Sequence, residues 1–223
     1  MTSEDFDQAH EWNAYVLYAD DALLIVNKPA GMLSVPGRGE DKRDSLTTRV
    51  QQLYPDALNV HRLDMATSGL MVMARNKEVH RLLSMAFAER KVDKRYIAQV
   101  AGCPLNSSGE IDFPLIVDWP NRPKQKICYK QGKPSLTHWR LLECTPDKSS
   151  SYLELEPITG RSHQLRVHLA AIGHPILGDE FYAPPEYVQP YERMMLHACF
   201  LAFRHPVTGQ ALSFELKADF YGK

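Results

Sequence analysis

Hydrophobic residues recur along the chain at the three- and four-residue spacing of amphipathic helices in three places. The predicted helices cover residues 45–54, 77–90 and 165–172. Asp44 or Ser45 caps the start of the first helix, and Asn76 caps the start of the second. Gly173 follows the third helix, where a glycine commonly ends a helix.

Short runs of aliphatic and aromatic residues between polar, Gly- or Pro-containing turns predict strands. They lie at residues 16–18, 23–26, 70–74, 96–100, 136–142, 152–156, 196–203 and 211–216. Residues 107–109 and 145–151 are predicted to be hairpin loops. Because strands and helices are interspersed without regular βαβ alternation, the pattern predicts an α+β fold. We expect a mixed, largely antiparallel β-sheet flanked by helices and loops.

The amino-acid composition excludes some classes of protein but does not indicate a function. The 223 residues are 44% hydrophobic, enough for a sizeable core, and 26 basic residues nearly cancel 27 acidic ones. Any affinity for nucleic acid must therefore come from local clusters of basic residues. The N-terminus has neither a basic segment nor a long apolar one, so we expect no secretion signal and no membrane association. Residues 1–13 are predicted to be a flexible arm, and residues 14–223 one domain.

The cysteines and histidines do not predict a metal site. The four cysteines are far apart and include no CxxC pair, so neither a zinc site nor a disulfide is predicted, and a reducing cytoplasm is the expected location. His163, His168 and His174 are separated by five and six residues, which does not place neighbours on one helical face. No exposed apolar segment calls for a partner subunit, which predicts a monomer.

Four segments contain residues that could take part in catalysis or in binding a substrate. The first is His61-Arg-Leu-Asp64, followed by a Thr-Ser-Gly turn, which places a carboxylate at a strand end. An aspartate in that position can be a nucleophile, a general base or a structural turn residue. The other segments are the basic stretch 90–96, which ends at Tyr96, the basic and proline-rich loop 118–126, and Gly160-Arg-Ser-His-Gln-Leu-Arg-Val-His168.

Together these four segments resemble the RluA family of RNA pseudouridine synthases in order and spacing. The resemblance extends from about Leu23 through Gly173-His-Pro-Ile-Leu-Gly-Asp179 to the motif Gly209-x-x-Leu-x-Phe214. It implies the pseudouridine synthase fold and three catalytic residues, Asp64, Tyr96 and Arg166. The chain matches the family pattern at all three positions.

The segments Lys28-Pro-Ala-Gly31, Ser34-Val-Pro-Gly-Arg38 and 118–126 are most similar to one short member of this family. The resemblance implies that the chain is an isomerase that acts on stem-loops of large-subunit ribosomal RNA and on the anticodon stem-loop of transfer RNA. We expect no S4-type RNA-binding domain ahead of Leu23, although many members of the family carry one. The reaction only rearranges a uridine, so no cofactor and no metal are expected.

The chemistry suggests a role for each residue. Arg166 is expected to pair with Asp64 and keep it ionised, because a nearby guanidinium lowers the pKa of a carboxyl group. Tyr96 offers a ring for the uracil and a phenol that could remove a proton. Arg62 could fill the space left by an everted base. We expect RNA contacts from Lys94, Arg122, Lys124, Lys126, Arg161 and His163.

Several alternatives stay open at this point. Arg161 competes with Arg166 as the partner of Asp64, Tyr96 could be an ordinary strand aromatic, and residues 122–126 could be a solvated hairpin. Whether Asp64 attacks C1′ or removes a sugar proton is also open. Two other functions compete. A non-catalytic RNA-binding protein would not need Asp64, and a glycosidase would need a second carboxylate, for which no candidate stands out.

Overall fold

The structure is a computed structural model that describes residues 15–222. The predicted arm over residues 1–13 lies outside the described residues. The chain divides into two compact units, of which the first comprises described residues 15–93 and 200–216. The second comprises residues 94–199 and 217–222. The expectation of a single catalytic domain over residues 14–223 stays a prediction.

The described residues contain three α-helices and twelve strands, which confirms the α+β class. The helices are α1 (Leu46–Leu53), α2 (Lys77–Ala88) and α3 (Gln164–Ala171). The strands up to the middle of the chain are β1 (Val16–Ala19), β2 (Leu23–Lys28), β3 (Leu58–Asn59), β4 (Ser68–Ala74), β5 (Asp93–Ala101) and β6 (Ser108–Asp112). The later strands are β7 (Leu115–Val117), β8 (Gln125–Ile127), β9 (Leu136–Cys144), β10 (Ser150–Pro157), β11 (Leu196–Arg204) and β12 (Ala211–Glu215).

The core of the first unit forms around β4. This strand pairs antiparallel with β2, which pairs antiparallel with β1, and every residue of β4 is buried. A strand covered on both faces reads as a continuous apolar run, which explains the Leu-Met-Val-Met sequence at its centre. Helix α2 contributes Val79 and Leu83 to the same core. The first unit therefore provides a rigid base for the segment that precedes β4.

The predicted helix ends agree with the structure to within two residues. Ser45 caps α1, and Asn76 caps α2 by accepting a hydrogen bond from the backbone N–H of Val79. Helix α3 ends as expected at Gly173, whose positive φ of 85° favours glycine. Helix α2 stops at Ala88, two residues short of the prediction, because Arg90 has a φ of 59°, outside the helical range.

The second unit combines four paired strands of the main sheet with a separate hairpin. Strands β5, β10, β9 and β6 pair in that order, and each of these pairings is antiparallel. Strands β7 and β8 form a two-stranded sheet of their own. Helix α3 has buried residues all round, from Gln164 to Leu169, and it contacts β8, β9 and β10.

Two expectations about this unit are wrong. Residues 107–109 are not only a loop, because β6 begins at Ser108 and pairs with β9. Serine and glycine have low β-propensity, so this strand depends on its neighbour and gives little local signal. The structure also joins Cys103 and Cys144 in a disulfide, with their Cα atoms 5.8 Å apart. The 41-residue separation of these cysteines hides the pairing from spacing arguments.

Among residues 15–222, no helix is long and apolar enough to cross a membrane.

Candidate active site

Asp64 lies in the segment between β3 and β4, where it is half-buried. The backbone N–H of Thr67 donates to the carbonyl of Asp64 at 3.1 Å, which closes a turn directly after the carboxylate. Gly69 follows with a φ of 114°, a conformation that side-chain-bearing residues rarely adopt. The turn is thus formed at Met65 and Ala66, whereas Ser68 and Gly69, predicted as part of the turn, already belong to the buried strand β4.

Ser34 holds the residue immediately before Asp64. Its hydroxyl donates to the carbonyl of Leu63 at 2.7 Å and accepts from the backbone N–H of Leu63 at 3.1 Å. Ser34 is itself buried, and its carbonyl accepts from the hydroxyl of Thr47 on α1. Both backbone polar groups of Leu63 are therefore satisfied by one buried side chain, which restricts the orientation of Asp64.

Lys28 holds the residue immediately after Asp64. It is fully buried at the end of β2, and its Nζ donates to the carbonyl of Met65 at 2.9 Å. The same Nζ donates to the carbonyls of Pro29 and Met32. A buried ammonium group is tolerated only when hydrogen bonds replace its water. Lys28 therefore joins the loop after β2 to the loop of Asp64, a role that sequence reasoning missed.

His61 stabilises the same segment through its ring. Its Nε2 accepts from the backbone N–H of Val72 at 3.1 Å, and its ring stacks on Phe87 with 4.5 Å between ring centroids. The side chain of Arg62, the next residue, is exposed to solvent. The histidine is thus a structural residue, whereas Arg62 is accessible to a substrate.

Tyr96 and Lys94 lie at the start of β5, at half-buried positions. Tyr96 stands opposite Leu155 in the antiparallel pairing of β5 with β10. Burial lowers the pKa of Lys94 below its ordinary value, because it disfavours the charged form. The role of Lys94 as an RNA contact stays a prediction.

Arg166 on α3 forms a bidentate ion pair with Asp179. Its Nε lies 2.8 Å from one carboxylate oxygen and its Nη2 lies 2.6 Å from the other, and both residues are buried. The guanidinium also lies 5.0 Å from the ring centroid of Phe181 and 5.1 Å from that of Tyr182. The planar fork that the sequence analysis assigned to Asp64 is thus engaged by Asp179. The pairing of Arg166 with Asp64 stays a prediction.

The predicted basic loop 118–126 forms the β7–β8 connection over residues 118–124 and runs into β8 at Gln125 and Lys126. Its side chains contact one another. The guanidinium of Arg122 lies 4.2 Å from the ring centroid of Trp119, which is 66% exposed. Lys126 forms an ion pair with Asp118 at 3.0 Å. Lys124 has its Nζ 5.8 Å from the ring centroid of Phe181. The hairpin therefore presents a flat aromatic surface beside basic groups.

Arg161 stands just before α3, where its Nε donates to the carbonyl of Pro134 at 3.2 Å and its side chain is exposed. His163 caps α3 in the left-handed conformation, with a φ of 54°. A residue other than glycine adopts this conformation only where its surroundings enforce it.

The other histidines of this region serve the fold. Nδ1 of His168 lies 3.0 Å from the hydroxyl of Thr137, and its Nε2 lies 3.0 Å from the carbonyl of Phe113. Burial lowers the pKa of His168. His174 Nδ1 lies 2.8 Å from the carbonyl of Ala101. Within residues 15–222, no group of three or more His, Cys, Asp or Glu side chains could hold a metal ion.

The predicted residues thus divide between the two units. Asp64 and Arg62 belong to the first unit, and Tyr96 and Arg166 belong to the second. All of the other predicted RNA contacts, namely Lys94, Arg122, Lys124, Lys126, Arg161 and His163, belong to the second unit. The residues that sequence reasoning missed are Ser34, Lys28 and Asp179. In the sequence these three residues are marked only by their places inside longer motifs that resemble the family.

Known proteins resemble this chain over nearly its whole length. The family described as RNA pseudouridylate synthase matches residues 22–171. A protein of Escherichia coli named dual-specificity RNA pseudouridine synthase RluA is 50% identical over 220 residues, covering 99% of this chain and all of the relative. The protein of the same name from Yersinia pestis is 52% identical over 205 residues, covering 92% of this chain and 99% of the relative.

A solved structure agrees with these sequence matches. Human RNA pseudouridylate synthase domain containing 1 superposes with a TM-score of 0.77 at 30% identity, covering 92% of this chain and 83% of the human chain. The fold, the family match and the full-length identity agree with one another. The chain therefore belongs to the RluA family of RNA pseudouridine synthases, which are isomerases that act on RNA.

Proposed function

We propose that this enzyme converts selected uridines to pseudouridine in stem-loops of both large-subunit ribosomal RNA and transfer RNA. The observation that carries the proposal is the 50% identity, over 99% of this chain, to a protein named a dual-specificity RNA pseudouridine synthase. The exposed basic and aromatic hairpin at residues 118–126 supports it, because single-stranded loops are bound through stacking and phosphate contacts.

Asp64 is the group that acts on the sugar of the target uridine. The C1′–N1 bond breaks, the uracil turns, a C5–C1′ bond forms, and the C5 proton leaves while N1 gains a proton. The atoms balance within the uridine and two proton transfers, so the reaction itself calls for no oxidant, reductant or group donor. Ser34 and Lys28 orient Asp64 by holding Leu63 and Met65.

Tyr96 and Arg166 complete the proposed catalytic group. Tyr96 stacks on the uracil, and its phenol oxygen takes the C5 proton late in the reaction as it passes its own proton to N1. Arg166 stabilises the charged form of Asp64. Arg62 fills the space that the everted base leaves in the RNA stack. Arg122, Lys124, Lys126, Arg161, His163 and Lys94 contact the RNA backbone.

The experiment is to incubate the purified protein with unmodified ribosomal RNA fragments and transfer RNA transcripts. Pseudouridines are then mapped by carbodiimide-dependent stops in primer extension. We expect new stops on both RNA classes, each in a loop. Stops on one class alone would contradict the dual substrate, and stops on neither would contradict the activity. Release of free uracil would indicate a glycosidase instead.

We further propose that the protein acts as a monomer in the cytoplasm, where both proposed RNA substrates are found. The first part is tested by light scattering on the purified protein with and without RNA. A mass near 25.4 kDa for the free protein is the expected result, and a stable dimer would contradict it.

A further inference from the structure

Three segments of the second unit meet at the side chain of Tyr182. The backbone N–H of Gln125, on the β7–β8 hairpin, donates to the Tyr182 hydroxyl at 2.7 Å. Nδ1 of His163, at the start of α3, lies 2.7 Å from the same hydroxyl. A phenol has one proton to donate and two lone pairs to accept with, so it can make both bonds at once.

The ring of Tyr182 contacts the catalytic arginine. The guanidinium of Arg166 lies 5.1 Å from the Tyr182 ring centroid, within the range of a cation–π interaction. The backbone of the same loop is held by Asp179, whose carboxylate accepts from the N–H of Phe181 while it binds Arg166. Tyr182 is therefore attached to the Arg166–Asp179 pair at one end and to the hairpin at the other.

The hairpin depends on such attachments. Strands β7 and β8 have three residues each and pair only with each other among the named strands of residues 15–222. An isolated two-stranded hairpin is at best marginally stable in water. The base of the hairpin is held by bonds between Leu115 and Lys133, whereas the Gln125–Tyr182 bond holds it nearer to the turn that presents Trp119 and Arg122.

We propose that Tyr182 is a positioning residue that sets the orientation of the β7–β8 hairpin relative to Arg166 and His163, and so controls how tightly substrate RNA is held. This inference rests on the proposed function, because it takes the hairpin as an RNA contact. Tyr182 does not itself act on the uridine in this scheme. Its hydroxyl acts through the hairpin, and its ring acts through Arg166.

The test compares Tyr182→Phe with Tyr191→Phe, a control on a half-buried tyrosine that lies later in the segment between α3 and β11. Tyr182→Phe keeps the ring and removes both hydrogen bonds. We expect KM for a stem-loop substrate to rise about five- to tenfold, with kcat changed less than about twofold. Hydrogen exchange at the Gln125 amide is expected to accelerate by about tenfold, because its acceptor is gone.

A double-mutant cycle with Arg122→Ala separates positioning from a general loss of stability. If the hydroxyl acts by orienting the hairpin, Arg122→Ala raises KM about fivefold in the wild-type background but less than about twofold in Tyr182→Phe. If Arg122→Ala changed KM by the same factor in both backgrounds, or changed it in neither, the proposal would be overturned. Faster exchange at Gln125 with an unchanged KM would also overturn it, because the bond would then be structural only.

Tyr182→Leu tests the ring separately, since it removes the contact with Arg166 as well. We expect kcat to fall at least about fivefold beyond the Tyr182→Phe value, measured well below the melting temperature of each variant. An unchanged kcat would overturn the part assigned to the ring. A wild-type protein that forms no pseudouridine would contradict the proposed function instead, and exchange at Gln125 would still report on the bond.

Discussion

The loop of Asp64 and the neighbourhood of Arg166 are held by two different kinds of interaction. Around Asp64, the buried side chains of Ser34 and Lys28 bind the backbone on either side of the carboxylate. Around Arg166, side chains bind side chains, with Asp179 on the guanidinium and the Tyr182 ring beside it. The difference teaches that the proposed catalytic acid has the main chain on both sides of it held in place, whereas the arginine is held by a charged partner.

The largest expected effect on stability comes from breaking the charge pair. Asp179→Asn leaves the Arg166 guanidinium buried without its carboxylate, so we expect the free energy of unfolding to fall by about 3–5 kcal/mol. Urea unfolding measures the change. Asp219→Asn, which breaks the more exposed pair with Arg193, serves as the control, with an expected loss below about 1 kcal/mol. Equal losses for the two variants would show that burial does not distinguish the pairs.

The next effect concerns Lys28. Lys28→Met keeps the stem but removes the donor from the carbonyls of Pro29, Met32 and Met65. We expect a loss of about 2–4 kcal/mol in unfolding free energy together with a lower kcat, because buried carbonyls lose their partner and the Asp64 loop loosens. The exposed Lys77→Met is the matched control. If Lys28→Met were as stable and as active as this control, Lys28 would not be holding the loop of Asp64.

A smaller effect is expected for Ser34→Ala. The loss of the two bonds to Leu63 should cost about 1–2 kcal/mol and lower kcat roughly tenfold, with KM nearly unchanged, because only the orientation of Asp64 is affected. Ser84→Ala on α2 provides the control in steady-state kinetics. A rise in KM at constant kcat would indicate that Ser34 affects RNA binding rather than the acid.

The smallest effect is a pH dependence in the second unit. Burial lowers the pKa of His168 in the folded state below 6.5, so the unfolded chain binds the proton more readily. The stability that neutral His168 contributes is therefore present above pH 6.5 and is lost as the pH falls below it. Unfolding free energies between pH 7 and pH 5 should decline less in His168→Gln than in the wild type. An identical slope would mean that His168 does not titrate differently on folding.

Local features of the sequence predicted much of the fold, but few of the hydrogen bonds and ion pairs around the candidate site. Asn76 and Gly173 could be predicted as helix caps because capping depends on one residue and its neighbours. Asp179 could not be identified as the partner of Arg166, because the contact depends on how a loop returns to the helix. Strand β6 was missed for a similar reason, since its pairing with β9 rather than its composition makes it a strand.

The candidate site shows the same division. The motif around Asp64 could be predicted from sequence, but Asp64 lies in the loop before β4 rather than at the strand end that the sequence predicted. The turn after Asp64 and the exposure of Arg62 agree with an acid presented beside a buried strand. The roles of Ser34 and Lys28 could not be read from the sequence, because a serine and a lysine in a Pro- and Gly-rich region are usually solvated. Their burial and their hydrogen bonds in the structure show that they hold the residues beside Asp64.

The central claim is that Asp64 carries out the isomerisation, and it is tested most directly by tritium release. The C5 proton of the target uridine leaves in the reaction, so RNA labelled at C5 of uridine releases tritium to water at each turnover. We expect Asp64→Asn to lower this release at least about a thousandfold while RNA binding is retained, and the surface variant Asp56→Asn to behave like the wild type. Release by Asp64→Asn within about tenfold of the wild-type rate would contradict the account.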